Sequence, residues 1–259
     1  TMTTANTIMV IYSYCMRDFP ATSQMIIKSM LPEMIYMDKK LFIQALTKYL
    51  SGILIFSILL FIPAGTLAFR NAWLLMGILF IPMLIAGIIL MIKNPELLQK
   101  RLNVKETETQ QKNVILTGGL MFVCGFIVAG LDYRYHWSVV PNWLVTAATM
   151  MFLFAYLLYA EVLRENTYLS RTVEIQKNQK VIDTGLYGVV RHPMYLSTLL
   201  LFLSMPLVLG SLFSFLIFFI YPVITVKRIR NEEQVLEKGL EGYSEYKKRV
   251  KYRVIPFIW

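Results

Sequence analysis

The chain has 259 residues, 56% of them apolar, a mean hydropathy of +0.55 and a formal net charge of +10. Soluble chains average about 45–50% apolar, and the excess here lies in runs long enough to cross a hydrocarbon core of about 30 Å, which takes roughly 20 helical residues. In a membrane chain Lys and Arg gather in cytoplasmic loops and beside anionic lipid, so the positive charge points to membrane lipids as partners and not to nucleic acid. Cys15 and Cys124 stand far apart without a partner motif, which leaves a disulfide framework or a Cys/His metal site unsupported.

Residues 1–36 read differently from the rest. The run from Ile8 to Cys15 is too short to span, and the run from Met25 to Met37 is broken by Lys28, Pro32 and Glu33. No signal-peptide pattern is evident. Met37 followed by Asp38-Lys39-Lys40 has the look of a natural start, so 1–36 is expected to be an N-terminal extension, with an interfacial segment as the alternative.

Residues 37–163 are expected to form a four-helix transmembrane region, with spans near 49–69, 72–92, 114–131 and 143–163. Pro82 is expected to kink the second. The polar loop Lys93–Lys112 turns at Asn94-Pro95. Asp132 to Trp137 forms an aromatic belt of the interfacial kind. With the N-terminus, that loop, the 164–191 segment and the tail on one side, all but Arg70 and Arg134 of the 26 Lys and Arg share it. The positive-inside rule makes that side cytoplasmic, both termini included.

Residues 164–259 form the third region. Its connector is too polar to cross. Leu196 to Val226 then carries no charge over about 31 residues, roughly 46 Å as one helix. Pro206 and Gly210-Ser211 near its middle are breakers, so two antiparallel arms joined at 209–212 are expected. A hairpin of this kind returns the cluster Lys227–Glu233 to the face that holds His192. The basic tail from Gln234 has Tyr243, Tyr246, Val250 and Tyr252 interleaved, a pattern suited to the headgroup surface.

Two polar clusters carry the candidate chemistry. In GLYGVVRHPMY, Gly185 to Tyr195, proline after His192 suits the first turn of a helix and needs no further purpose. The functional reading adds that a helix N-terminus attracts anions and that Tyr187 and Tyr195 offer faces to a base or a cation. In KRIRNEE, Arg228 and Glu232 are spaced i, i+4 and share one helix face; a surface ion pair explains them equally well. Glu161, Arg164 and Glu165 read as ordinary interfacial charge. Gly-rich phosphate loops, HExxH pairs and G-x-S-x-G elbows do not occur.

The order and spacing of RENTYLSRTVEIQ, VIDTGLYGVVRHPMY, the uncharged hairpin, RIRNEEQVL and GYSEYKKRVKYRVIPFIW resemble the isoprenylcysteine carboxyl methyltransferase family, especially its bacterial members. The resemblance covers about 95 residues, and the four earlier spans match only in character. It implies an all-α integral-membrane methyltransferase with about six membrane segments, a cytoplasmic cofactor pocket and no metal, sited in a bacterial inner membrane.

The cofactor implied is S-adenosyl-L-methionine. Carried over position by position, its contacts fall on Gln176, Gln179, Lys180, Val181, Ile182, Tyr187, His192, Pro193, Met194, Tyr195 and Glu232. The catalytic, substrate-side arginine falls on Arg228. The eukaryotic enzymes have a longer run of glutamates where this chain has Glu232-Glu233, so Arg230 remains the alternative register. The implied substrate is a lipidic or prenylated small molecule or protein bearing a carboxylate. Three other readings stay open: a phospholipid or amine N-methyltransferase with Glu233 or His192 as base, a sterol-type NADPH reductase, and a transporter or scaffold. Transport is disfavoured by the few charges inside the spans.

Overall fold

The computed structural model describes residues 21–102, 109–169, 175–176 and 178–259, with side chains omitted for 21–38 and 109–113. The first 20 residues of the expected extension, and parts of the Lys93–Lys112 loop and of the connector, lie outside the described residues. The described elements are all helical: α1 (Ala21–Ala64), α2 (Arg70–Lys93), α3 (Pro95–Leu102), α4 (Thr109–Tyr135), α5 (Asn142–Glu165), a 3₁₀ turn (Gly185–Gly188), α6 (Pro193–Leu209), α7 (Leu212–Phe218), α8 (Tyr221–Gly239) and α9 (Tyr243–Arg249). The chain divides into two units, Thr1–Leu46 and Thr47–Trp259. In the first, the described residues carry the opening part of α1. Everything below concerns the second.

Among the described residues five helical stretches are long and apolar enough to cross a bilayer: Lys39–Ala64, Arg70–Lys93, Val114–Tyr135, Asn142–Glu165 and Leu212–Gly239. With the shorter apolar α6, Pro193–Leu209, they make six membrane segments. Their outward faces remain greasy; Ile62, Leu116, Leu157 and Val223 are all exposed, as lipid-facing positions require. The first span differs from expectation at both ends. The helix runs through Lys39, Lys40 and Lys48, and it stops at Ala64. Gly65 ends it in the left-handed region at φ 68°, where its N–H caps the carbonyls of Phe61 and Ile62.

Buried side chains knit the segments together. Phe80, Phe126, Phe152 and Phe218 sit in one apolar core with Leu60, Leu75 and Val208. Close approach of helices rests on glycine in two places. A Cβ on Gly130 would lie 2.6 Å from the Leu60 carbonyl, and one on Gly125 would lie 2.3 Å from the Phe218 ring.

The hairpin forms where the sequence places it. α6 carries Pro206 inside it and ends at Leu209 on Gly210, at φ 79°. Ser211 then caps α7 by accepting from the Ser214 N–H. The returning arm is not one helix, however. It breaks between Phe218 and Tyr221 because Pro222 lacks an N–H and its ring would clash with the carbonyl four residues back. α8 restarts with that proline in its first turn. Leu212–Gly239 counts 28 residues, roughly 42 Å of helix, so the last turns of α8 reach beyond a 30 Å core. Glu232 and Glu233 begin those turns, and Arg228 lies one turn before them.

Candidate active site

The site is assembled from the end of α5, the connector, the start of α6, the end of α8 and the tail. Glu165 closes α5 and clamps the 3₁₀ turn: its carboxylate accepts from the Thr184 hydroxyl at 2.9 Å and the Leu186 N–H at 3.1 Å. Gly185 lies under that carboxylate at φ 50°, and a Cβ there would sit 2.2 Å from Oε1. Only glycine fits. The clamped turn presents Tyr187, whose hydroxyl accepts from Asn166 Nδ2 at 2.9 Å and so keeps its own proton free to donate. Burial pushes the Tyr187 phenol well above its ordinary pKa, opposed by that Asn166 hydrogen bond, and it stays a donor at any physiological pH.

Next in sequence, Arg191-His192-Pro193 is tied down from two sides. The N–H groups of Arg191 and His192 donate to the carbonyls of Tyr252 and Arg253 at 2.9 and 2.8 Å, binding the motif to the tail. The Arg191 guanidinium reaches the carbonyls of Val250 and Lys251 at 2.7 and 2.8 Å. It also meets Glu233 Oε1 at 2.8 Å through both Nε and Nη2. Arg253 Nε donates to Glu233 Oε2 at 2.9 Å, and His192 Nε2 lies 3.3 Å from Oε1. Glu233, 3% exposed, is therefore the bolt joining α8, the start of α6 and the tail. A carboxylate can be buried only when its lone pairs are filled in this way.

The neighbouring carboxylate behaves differently. Glu232 borders the pocket with its side chain partly open. Its Oε2 accepts from the Tyr195 hydroxyl at 2.6 Å, and that hydroxyl in turn accepts from Arg228 Nε at 2.9 Å. Arg228, Tyr195 and Glu232 thus form a relay across α6 and α8. One pocket contains these three with Tyr187, His192 and Met194; Gln179, Lys180, Val181 and Ile182 of the connector line another wall. Leu236, Leu240, Tyr243 and Tyr246 complete it, packed with Val181 and Ile175 as a small apolar cluster. Tyr246 donates its hydroxyl to the Tyr187 carbonyl at 2.8 Å.

Ten of the twelve sequence-derived site residues therefore meet around one cavity. Gln176 and Pro193 do not line it. Gln176 is occupied in a local turn, with its N–H donating to Gln179 Oε1 at 2.9 Å and its Nε2 to the Tyr168 carbonyl at 2.6 Å. Pro193 is buried as the first residue of α6, behind the N-cap His192. Arg228 faces the cavity while Arg230 is exposed. The residues singled out from the sequence for the site did not include Asn166, Arg191, Tyr243 or Tyr246, while Glu165 read as interfacial charge and Glu233 only as a base for an amine acceptor. The Glu165 clamp had one legible signal: a carboxylate closing a helix ahead of a glycine turn. Glu233 had none, since its partners lie 42 and 20 residues away.

Six apolar helical segments, with a polar pocket at the open end of a helical hairpin, define an all-α integral membrane protein. Residues 142–241, from the start of α5 to just past α8, match the family described as "Phospholipid methyltransferase". Over 91 residues the chain is 34% identical to the mouse (Mus musculus) delta(14)-sterol reductase TM7SF2, across 34% of this chain and 22% of that protein. The chain thus spans about a fifth of the length of that curated relative. Its structure is similar to that of the eukaryotic intramembrane Ras methyltransferase ICMT (isoprenylcysteine carboxyl methyltransferase), with a TM-score of 0.51 at 17% identity over 96% of this chain and 93% of the other. The resemblance read from the sequence is therefore shown in the fold, which is of the isoprenylcysteine carboxyl methyltransferase type.

Proposed function

We propose that the protein transfers a methyl group from S-adenosyl-L-methionine to the carboxylate of a lipidic or isoprenylcysteine-like substrate, at the cytoplasmic face of a bacterial inner membrane. The observation that carries this reading is the Arg228–Tyr195–Glu232 relay, which sets a guanidinium and a carboxylate side by side in one pocket between α6 and α8.

The residues present suit the cofactor. Glu232 can accept from an amine or from ribose hydroxyls, the N-terminus of α6 suits a carboxylate, and Leu236, Leu240 and Tyr243 offer an apolar slot for a flat base. The cofactor would supply a methyl on a positive sulfonium, and a carboxylate acceptor, already ionised at neutral pH, needs no general base. What the protein must do is position the acceptor and exclude water. Arg228 would hold the acceptor carboxylate by charge-assisted hydrogen bonds, with the lipid tail lying along the apolar faces of α6 and α8.

The phospholipid methyltransferase match favours an amine acceptor instead. That chemistry calls for a base, and Glu233 is occupied by Arg191 and Arg253 while His192 leans on Glu233. The sterol reductase relative favours NADPH. Calorimetry in detergent with S-adenosylhomocysteine and with NADPH decides the cofactor. Single-turnover transfer from labelled cofactor to a prenylcysteine and to phosphatidylethanolamine decides the acceptor. Arg228→Ala should keep S-adenosylhomocysteine binding and lose about 100-fold or more in transfer, and lysine should rescue poorly because a point charge cannot reproduce the planar fork. NADPH binding without S-adenosylhomocysteine binding would establish the reductase reading, and preferential transfer to the lipid amine the other.

A further inference from the structure

Five tyrosines line the pocket, and four have hydroxyls engaged within the protein, Tyr168 donating to the Asn178 carbonyl at 3.2 Å. Tyr195 bridges Arg228 and Glu232, Tyr187 accepts from Asn166, and Tyr246 donates to the Tyr187 carbonyl. Tyr243 differs. It is 3% exposed, yet its buried hydroxyl has no hydrogen-bond partner among the described residues. A buried hydroxyl left unpaired is destabilising, and such groups in folded proteins call for an explanation.

The surroundings indicate what would satisfy it. Tyr243 lines the pocket among Leu236, Leu240 and Val181. Its backbone is held firmly: Gly242 turns at φ 80° and places Tyr243 as the first residue of α9. The ring also packs on Tyr246 at 5.8 Å between centroids. Burial pushes the phenol well above its ordinary pKa, with the charges of Glu233 and Glu232 adding to the effect, so the hydroxyl keeps its proton and has it to donate. A flat heteroaromatic ring fits apolar walls on its faces and needs a donor at its edge.

We propose that the Tyr243 hydroxyl is a ligand-binding donor that hydrogen-bonds an acceptor atom of the adenosine half of the cofactor. The assignment rests on the cofactor reading above. Its distinguishing consequence is that the hydroxyl serves the ligand and not the fold. Tyr243→Phe should leave thermal stability in detergent unchanged or slightly raised, because no protein hydrogen bond is lost. Tyr246→Phe, which loses a real one, should lower it.

The experiment is calorimetric binding of S-adenosylhomocysteine to the full chain in detergent, beside thermal unfolding of both variants. Tyr243→Phe should weaken binding about three- to tenfold, the measure of one net hydrogen bond. Forms of S-adenosylhomocysteine lacking N1, N3, N7 or the 2′-hydroxyl locate the acceptor. One of them should lose the same factor on the wild type and nothing further on Tyr243→Phe. Equal affinity of wild type and Tyr243→Phe overturns the assignment and leaves the cofactor reading intact. A fall in stability of Tyr243→Phe as large as that of Tyr246→Phe makes the hydroxyl structural and overturns it too. Undiminished penalties for every analogue on the variant place the contact off the adenosine, with the same result. A wild type that binds no S-adenosylhomocysteine removes the cofactor reading and this assignment together.

Discussion

The two ends of the α6–α8 hairpin each bury a carboxylate, and they do it by different chemistry. At the tip, Asp132 from the end of α4 is 2% exposed. It accepts from the Ser138 N–H at 2.8 Å, the Ser138 hydroxyl at 2.6 Å and the Ser211 hydroxyl. Ser138 in turn caps α7 by accepting from the Leu212 N–H at 3.1 Å, and Ser214 donates to the Gly125 carbonyl at 2.8 Å. At the base, Glu233 is saturated by two guanidinium groups and an imidazole. Neutral donors suffice at the tip because they fix one turn to one helix. The base joins three chain segments that meet in a small apolar cluster of Tyr195, Ile229 and Val254, and beside it the long, planar reach of arginine ties their polar groups together. Both carboxylates are fully occupied. The one left partly open is Glu232, and it is the one that faces the pocket.

That contrast can be broken most forcefully at the base. Glu233→Ala removes the carboxylate partner of the buried Arg191, which keeps only the Val250 and Lys251 carbonyls, and of the partly exposed Arg253, and should cost about 3–5 kcal/mol, read from unfolding in detergent. Loss of S-adenosylhomocysteine binding should accompany it as the start of α6 comes loose. A fully folded Glu233→Ala would show that the tail is held by other means. Asp132→Ala should cost less, about 1–3 kcal/mol for stranded neutral donors, with binding at the far end of the hairpin unchanged. Equal losses at the two sites would erase the distinction between ionic and neutral saturation.

Smaller effects sharpen the claim that occupied and open carboxylates have separate roles. Glu232→Ala should weaken S-adenosylhomocysteine about tenfold, roughly 1.4 kcal/mol, while the unfolding midpoint stays near that of the wild type. A drop in stability with unchanged affinity would make Glu232 another structural carboxylate. The smallest change is expected for Arg230→Ala. Its side chain is exposed, so stability should move by no more than about 0.5 kcal/mol, and transfer should persist. Loss of transfer in that variant alone would shift the substrate arginine by two residues.

Much of this was written in the chain before any folding. The apolar runs announced the membrane segments because bilayer thickness dictates helix length, and Gly210-Ser211 announced the hairpin because a left-handed residue and a serine cap stop one helix and start another. The i, i+4 spacing of Arg228 and Glu232 placed them on one face, since helical periodicity is local geometry. What the tertiary structure alone decided is the division of labour among neighbours. Nothing in the pair Glu232-Glu233 says which is the bolt and which faces the ligand. Adjacent residues on a helix point about 100° apart, and their roles follow from what the rest of the chain brings to each side. Arg191 reads as part of a ligand motif and serves as a tether to Val250 and Lys251. Tyr243 reads as one more aromatic on an interfacial tail, and only folding shows that its hydroxyl ends without a partner among the described residues. Such assignments depend on contacts tens of residues apart, which no periodicity encodes.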